Sequence, residues 1–421
     1  MKRVIEIIQT KDIGVLIKNF FSLAILQVLN IVLPFLTIPY LLRVIGVEKF
    51  GLISFALAFV TFFQIVIEYG FNNTATRDIS VVATDKNAVE RIYSAVLSTK
   101  LFLLGICSVL FLIVVYSIPK FSEHSIIYLF TFLSVIGQAM FPLWLFQGLQ
   151  EMKYITYLNV IFKTACTLLI FILIKEQSDY YLAPLLTSIG FLMSGMSALI
   201  VVHRKFRIKF SIVSFARIKE QLLKGKYLFF SEFQIAFIVN ANVVLIGLLL
   251  NNTAVGYYAT AEKVIRAISN LQLPIINALY PHISKLMVEN KNKAINQIKK
   301  IAIYGSIAEI VGIIILFALS GYLFQILFGE QTRESVIVFR IMIFMPLLVF
   351  LDQIFGKLIL LTNNKENSFF KVFFFTSIIS VVMCFIMTYS FGYVGTAVAN
   401  IIVQFLIAFG MFYYAKPLIR E

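Results

Sequence analysis

Four basic residues offer the most definite chemistry in this sequence: Arg77, Lys163, Lys263 and Arg266. Lys163 falls inside an apolar run over residues 155–174, and Lys263 and Arg266 inside another over 257–280. A charge in such a run is costly and by default faces a cavity or a partner. Lys163 lies about 8 residues into its run, or about 12 Å at 1.5 Å per residue, too deep for its side chain simply to reach the surface. Arg77 stands just past the end of a run over 51–70. Arginine holds phosphate oxygens through paired hydrogen bonds and lysine acts as a point charge, so the four together fit an anion. Four acidic residues also fall inside apolar runs: Glu68 and Glu262 in those over 51–70 and 257–280, Glu309 and Asp352 in further ones. Glu262 and Arg266 are four apart and can satisfy each other on one helical face, which leaves a structural ion pair open. Glu68 and Glu309 either carry coupling protons or pair with a basic neighbour.

Uncharged polar residues recur at helical spacing beside these charges. Gln27, Asn30, Pro34 and Thr37 share a face, as do Ser54, Thr61, Gln64, Glu68 and Asn72. Further stripes are Thr156, Asn159, Lys163 and Thr167; Glu262, Arg266, Asn270 and Asn277; and Thr396, Asn400 and Gln404. Asp352 and Lys357 lie together in one more run. One reading is a hydrated central cavity lined by Asn30, Gln64, Asn72, Asn159, Asn270, Asn400 and Gln404. The other is that small polar groups join helices to one another. No catalytic constellation is visible. His124, His203 and His282 are too scattered to ligate a metal, and Cys107, Cys166 and Cys384 all sit in apolar runs, so no cofactor and no disulfide framework are expected.

The elements that must position these residues follow from composition. Of 421 residues, 60% are hydrophobic and 14% charged, against about 25% charged in a soluble domain; the mean hydropathy is +0.92. That much apolar surface needs a bilayer. Apolar runs of the length that crosses one, about 20 residues, fall at 20–42, 51–70, 101–118, 125–148, 155–174, 181–202, 227–250, 257–280, 301–322, 336–361, 372–391 and 394–415. The expected fold is all-α and membrane-embedded, with about twelve spans. The net charge of +15 does not point to nucleic acid, because the basic residues occupy alternate loops. The sixth carries Arg204, Lys205, Arg207, Lys209, Arg217, Lys219, Lys224 and Lys226, and the eighth Lys285, Lys291, Lys293, Lys299 and Lys300. Basic loops stay inside, so both termini are expected in the cytoplasm and the number of spans is even. No cleavable signal peptide is evident; Met1 to Lys18 reads as an interfacial helix with Val4, Ile5 and Ile8 dipping into lipid.

The basic sixth loop divides the chain into an amino-terminal six-helix bundle (1–202), a cytoplasmic linker (203–226) and a carboxyl-terminal six-helix bundle (227–421). The second half echoes the first. Lys18-Asn19-Phe20-Phe21-Ser22 corresponds to Tyr227-Leu228-Phe229-Phe230-Ser231, Phe50-Gly51 to Val255-Gly256, and Ile79-Ser80 to Ile283-Ser284. Six spans per repeat give the halves one orientation about an axis along the membrane normal, as in alternating-access transporters. With cations in the cavity, a diphosphate-linked lipid suits such a protein: charged head within, tail in the bilayer. Trp144 and the tyrosines could stack on sugars, although packing is the expected role of most.

Several strings carry a family resemblance. Residues 33–46 (LPFLTIPYLLRVIG) followed by Phe50-Gly51, and Glu68-Tyr69-Gly70-Phe71 through Ala75-Thr76-Arg77-Asp78-Ile79-Ser80, are two. Phe141-Pro142-Leu143-Trp144-Leu145-Phe146-Gln147-Gly148 with Met152-Lys153-Tyr154-Ile155, and residues 255–263 (VGYYATAEK) with Leu279-Tyr280-Pro281, are two more. In this order they resemble the Wzx-type oligosaccharide flippases of the polysaccharide transporter family. One departure is Gln150-Glu151, where an acidic residue is expected directly after Leu149. The resemblance implies a MATE-like fold of two pseudo-symmetric bundles within the MOP superfamily. It also implies flipping of undecaprenyl-diphosphate-linked oligosaccharide repeat units across the bacterial inner membrane to feed O-antigen or capsule assembly. The transport unit is expected to be a monomer, and the polysaccharide polymerase is a candidate partner. Cation-coupled drug or metabolite antiporters of the same superfamily and lipid II flippases are the nearest alternatives. The former usually need acidic groups in an early span, and span one has none; the latter typically have more spans. A membrane glycosyltransferase generally needs a sizeable outside loop, and the outside loops here are short.

Overall fold

The computed structural model describes the course of the chain from residue 2 to residue 420, and the side chains of residue 22 and of residues 24–419. The side chains of the segment Met1 to Lys18, with Val4, Ile5 and Ile8, lie outside the described residues. Among the described residues every regular element is helical, as a bilayer requires, since only internal hydrogen bonds can satisfy the backbone there.

The first half of the chain contains α1 (Lys2–Glu68), α2 (Phe71–Val81), α3 (Lys86–Ser117), α4 (Pro119–Ser122), α5 (Ser125–Met140), α6 (Leu143–Gly148), α7 (Lys153–Leu173) and α8 (Leu182–Arg204). The second contains α9 (Phe215–Leu249), α10 (Asn252–Asn270), α11 (Leu273–Glu289), α12 (Lys291–Phe328), α13 (Arg333–Met342), α14 (Met345–Asp352) and α15 (Glu366–Arg420). Both α1 and α15 are two helices joined at a break, at Gly46 (φ 81°) and Gly392 (φ 63°). Positive φ is open to glycine and strained for other residues, so each glycine marks where one rod ends and the next begins.

Nine helical stretches among the described residues are long and apolar enough to cross a membrane, and the first and last of them contain these breaks. The run expected as span eight is not one of the nine. It is divided between α10 and α11, which meet at Leu271 and Gln272, and Glu262, Lys263 and Arg266 dilute its apolar character. The run at 336–361 is also interrupted. Pro346 opens α14, and a π-helix follows at Gln353–Leu360; π segments are rare and concentrate at functional sites.

The apolar side chains that remain exposed form stripes. On α12 these are Ile303, Ile307, Ile310, Ile314 and Phe317, and on α3 Phe102, Ile106, Val109, Ile113 and Tyr116. Steps of three and four keep each set on one face. Continuous apolar surface of this extent marks contact with lipid. The chain is a multi-pass membrane protein.

Two compact units emerge, one of residues 1–40 with 56–236 and the other of residues 41–55 with 237–421. In the first, Phe111 stacks on Phe132 at 4.2 Å and Trp144 is fully buried with its ring 5.9 Å from Tyr93, a packing role. Gly137 lets α5 lie directly against α8, because a Cβ there would sit 2.4 Å from the Phe191 carbonyl carbon. In the second unit, Ile276 and Ile283 of α11, Ile354 and Leu358 of the π-helix, and Val403 and Ile407 of α15 share one apolar core.

Candidate functional site

Among the described residues, each unit holds a polar cluster. In the first unit, the polar stripe of α7 meets the polar face of α1. Thr156 donates to the carbonyl of Ser22 at 2.7 Å, and two turns further on the ammonium of Lys163 donates to Asn30 Oδ1 at 3.2 Å. Lys163 also lies 4.8 Å from the centre of the Phe191 ring. It lines two adjacent cavities. One, of about 280 Å³, is bounded by Gln64, Glu68, Asn72, Gln138, Asn159 and Ser194 as well. The other, of about 230 Å³, adds Asn30, Pro34, Thr37, Thr167 and Thr187.

Glu68, Lys100 and Lys163 are the charges at the wall of the larger cavity or directly behind it. Glu68 Oε1 accepts from Lys100 Nζ at 3.0 Å, and the Lys100 side chain is only 1% exposed. That pair is internally neutral. No carboxylate pairs with Lys163 among the described residues, although Glu232, which accepts from Asn73 at 3.0 Å, lies near enough to Glu68 to act on it. Two acceptors on the cavity wall, Glu68 Oε2 and Asn72 Oδ1, are buried without a hydrogen-bond partner, and buried polar atoms ordinarily find one. A cation beside unfilled acceptors suits a ligand with an anionic group next to hydroxyl donors. Gln64 and Gln138 hold each other at 2.5 Å, and Asn159 Nδ2 donates back to the carbonyl of Ile155 at 2.8 Å.

In the second unit, Arg266 donates to Glu262 at 2.7 Å and to the backbone carbonyl of Val239. Glu262 is buried. One turn before it on α10, the buried Tyr258 hydroxyl accepts from Asn400 at 2.9 Å and from Asn242 at 3.3 Å. One turn after Asn400, Gln404 donates to the carboxylate of Asp352, which also accepts from Gln353 at 3.0 Å. Asp352 is buried and held by amides alone, with no basic partner among the described residues. Lys263 extends over the Phe50 ring at 5.2 Å, and Lys357 donates to Asn277 at 2.5 Å from the π-helix.

Several of the singled-out residues stand apart. The Arg77 side chain is 81% exposed on α2 and 3.7 Å from Asp78, and it lines neither cavity. Asn270 is exposed at the end of α10, and Glu309 is half-buried on α12 with no ionic partner among the described residues. The departure at Gln150-Glu151 is a tight turn: Gln150 has φ 57°, and Glu151 pairs with Lys153 at 2.6 Å.

Sequence reasoning missed Lys100, Gln138, Asn242 and Tyr258. Lys100 reads as the residue that ends a loop, because the apolar run begins after it. In fact α3 starts at Lys86, where Asp85 caps the helix by accepting from the amides of Asn87 and Ala88. That cap, an aspartate just ahead of a helix, was the available signal.

The sequence model of the polysaccharide biosynthesis protein family matches residues 16–287. A protein of Escherichia coli (strain K12) named as an O-antigen transporter is 30% identical over 400 residues, covering 95% of this chain and 96% of that one. Its namesake from Shigella dysenteriae is 28% identical over 407 residues, covering 94% and 98%. Among solved structures, an inward-facing multidrug resistance MATE family transporter of the MOP superfamily matches with a TM-score of 0.70 at 11% identity, over 92% of this chain and 94% of that chain. The lipid II flippase MurJ in an inward closed conformation matches at 0.59 and 15%, over 96% and 87%. At these identities the structures establish a shared MATE-like fold, and a fold by itself hosts many functions.

Proposed function

The chain belongs to the polysaccharide biosynthesis protein family, and from that premise we propose that it flips undecaprenyl-diphosphate-linked oligosaccharide repeat units from the cytoplasmic to the outer leaflet of the bacterial inner membrane. The single observation that carries this reading is Lys163: a half-buried ammonium lining a polar cavity, paired with no carboxylate among the described residues and sharing the cavity wall with the unfilled acceptors of Glu68 and Asn72. A lipid-linked sugar diphosphate matches that set, with phosphate oxygens for the cation and sugar hydroxyls for the acceptors. Lys263 and Arg266 serve the diphosphate in the second half, and Arg77 draws it in at the cytoplasmic end. Arg266 is the more constrained of these, because Glu262 already offsets its charge.

In this reading both termini face the cytoplasm, residues 1–202 and 227–421 rock about the basic linker 203–226, and the work is transport without bond making. An inside-negative potential assists an anion moving outward by about 2.3 kcal/mol per charge per 100 mV. The transport unit is one chain, and the flipped repeat unit passes to a polymerase. Coupling, if an ion supplies it, falls to Glu68, Glu309 or Asp352.

The test is the leaflet distribution of lipid-linked oligosaccharide in cells lacking the protein, read with a membrane-impermeant sugar-reactive probe. Accumulation on the cytoplasmic face, reversed by the intact chain, is the expected result. A normal distribution between leaflets overturns the flippase reading and favours small-molecule antiport on the same fold.

A further inference from the structure

Away from both clusters, the second unit carries an open cleft of about 920 Å³ between α12 and α13. The two helices are joined through Gly329 and a 3₁₀ turn at Glu330–Thr332, and the cleft runs from this turn along α13. Arg333 and Arg340 both line it. They are seven residues apart on one helix, two turns along the same face, or about 10 Å at 1.5 Å per residue.

The arginines are unusual in what they lack. Arg340 donates through Nε to Ser320 Oγ at 2.9 Å, and its guanidinium lies 5.1 Å from the centre of the Phe317 ring. Its two Nη groups have no partner among the described residues, and neither does the guanidinium of Arg333. Two carboxylates share the cleft, and neither forms an ion pair with the arginines. Glu330 accepts from Gln325 at 3.4 Å and Glu334 from the Tyr393 hydroxyl at 3.0 Å. A third guanidinium, that of Arg43, donates to the carbonyl of Ile326 at the same end of α12.

Arg340 belongs to a stretch apolar enough to span the membrane, Glu330–Asn363, and it is exposed. A guanidinium with free donors in such an apolar stretch needs water or an anion. In the orientation proposed above, this hairpin lies on the outer side, where basic residues are scarce: Arg43, Lys49, Lys120, Lys175 and Arg333. One of those few, Arg333, lines the cleft with Arg340, and a second, Arg43, is held at the end of α12. The fork of donors on arginine matches phosphate oxygens, and the cleft has room for a headgroup with its water.

We propose that the cleft between α12 and α13 is a phosphoryl headgroup site, in which Arg340 and Arg333 hold the diphosphate of a polyprenyl lipid on the face where it arrives. The leaflet and the lipid rest on the flippase reading; the phosphate chemistry does not. The site gives the emerging anion a place to leave the cavity for, and the open side of the cleft leaves the tail in the bilayer.

The test places a reporter inside the cleft. Ile337 lines it and is 46% exposed, while the three native cysteines are buried, so Ile337→Cys in the full-length purified protein reacts with a maleimide at that position. Undecaprenyl diphosphate is expected to slow labelling, and undecaprenol, with the same tail and no phosphate, is not. Adding Arg333→Ala and Arg340→Ala should raise the lipid concentration needed for protection by about tenfold or more, the loss expected for charge-assisted hydrogen bonds. Arg340→Lys, which keeps the charge, and Arg333→Ala alone, on the exposed hairpin, give intermediate shifts and guard against misfolding of the double variant. Equal protection by phosphatidylglycerol assigns the site to phospholipid headgroups in general, and protection by inorganic pyrophosphate shows that the phosphates suffice. Both support the phosphoryl site. Protection by undecaprenol, protection that survives loss of both arginines, or no protection by any phosphate ligand overturns it. A failure here alongside cytoplasmic accumulation of oligosaccharide in cells lacking the protein leaves the flippase reading standing; a normal leaflet distribution with protection intact removes that reading and keeps the site.

Discussion

Replacing Lys100 with Met should destabilise the protein and damage transport by separable routes. Lys100 Nζ and Glu68 Oε1 are 3.0 Å apart, with side chains 1% and 16% exposed. At an effective dielectric of 20, charges at that distance attract by about 5–6 kcal/mol. Part of this offsets the cost of taking both groups out of water. Removing one partner leaves the other buried and uncompensated, which costs about 3–5 kcal/mol. Glu68 reaches the cavity and regains some solvation, so a loss of about 3 kcal/mol, at the low end of that range, is expected. Its second oxygen already has no partner and offers no relief. Lys100→Met combined with Glu68→Gln removes both charges and should recover to within about 1 kcal/mol of the parent. Trp144, the sole tryptophan and fully buried, reports unfolding by its fluorescence during denaturation in detergent. Transport separates the variants further. With Lys100 gone, Glu68 opposes the charge of Lys163 in the same cavity, so flipping should fall more in the single variant than in the double. A single variant as stable as the parent, or a double variant no better than the single, would refute the reasoning.

Two further outcomes follow from the clusters. Lys163→Ala should abolish flipping while protein abundance in the membrane is unchanged, with partial activity in Lys163→Arg; normal flipping by Lys163→Ala removes the cationic cavity from the mechanism. Arg266→Ala strands the buried Glu262 and should cost about 3 kcal/mol. Adding Glu262→Gln should restore stability in the same denaturation assay but not leaflet transfer, and recovery of both would make Arg266 purely structural.

Much of the protein was legible without coordinates. Apolar runs of membrane length must be helical because the bilayer offers the backbone no other partner, so class and approximate spans follow from hydropathy. Helical spacing placed Glu262 beside Arg266, and the two do pair. Where a charge interrupts an apolar run, hydropathy misleads: Lys100 fell outside the expected span, although α3 continues past it and buries it. Span eight, read as one rod, is divided between α10 and α11, which meet at Leu271 and Gln272.

The sequence by itself determined that this chain is an all-helical membrane protein of a recognisable family, with polar stripes on particular helix faces. Only the tertiary structure decided which stripes meet. Asn30 and Lys163 are separated by 133 residues, Asn400 and Tyr258 by 142, and Gln404 and Asp352 by 52. Periodicity fixes the direction in which a side chain leaves its own helix. The neighbour it finds there is set by packing between helices that are distant along the chain, and for that reason the partner of Lys100, the amides around Tyr258 and the cleft of the arginines beside α12 became visible only in three dimensions.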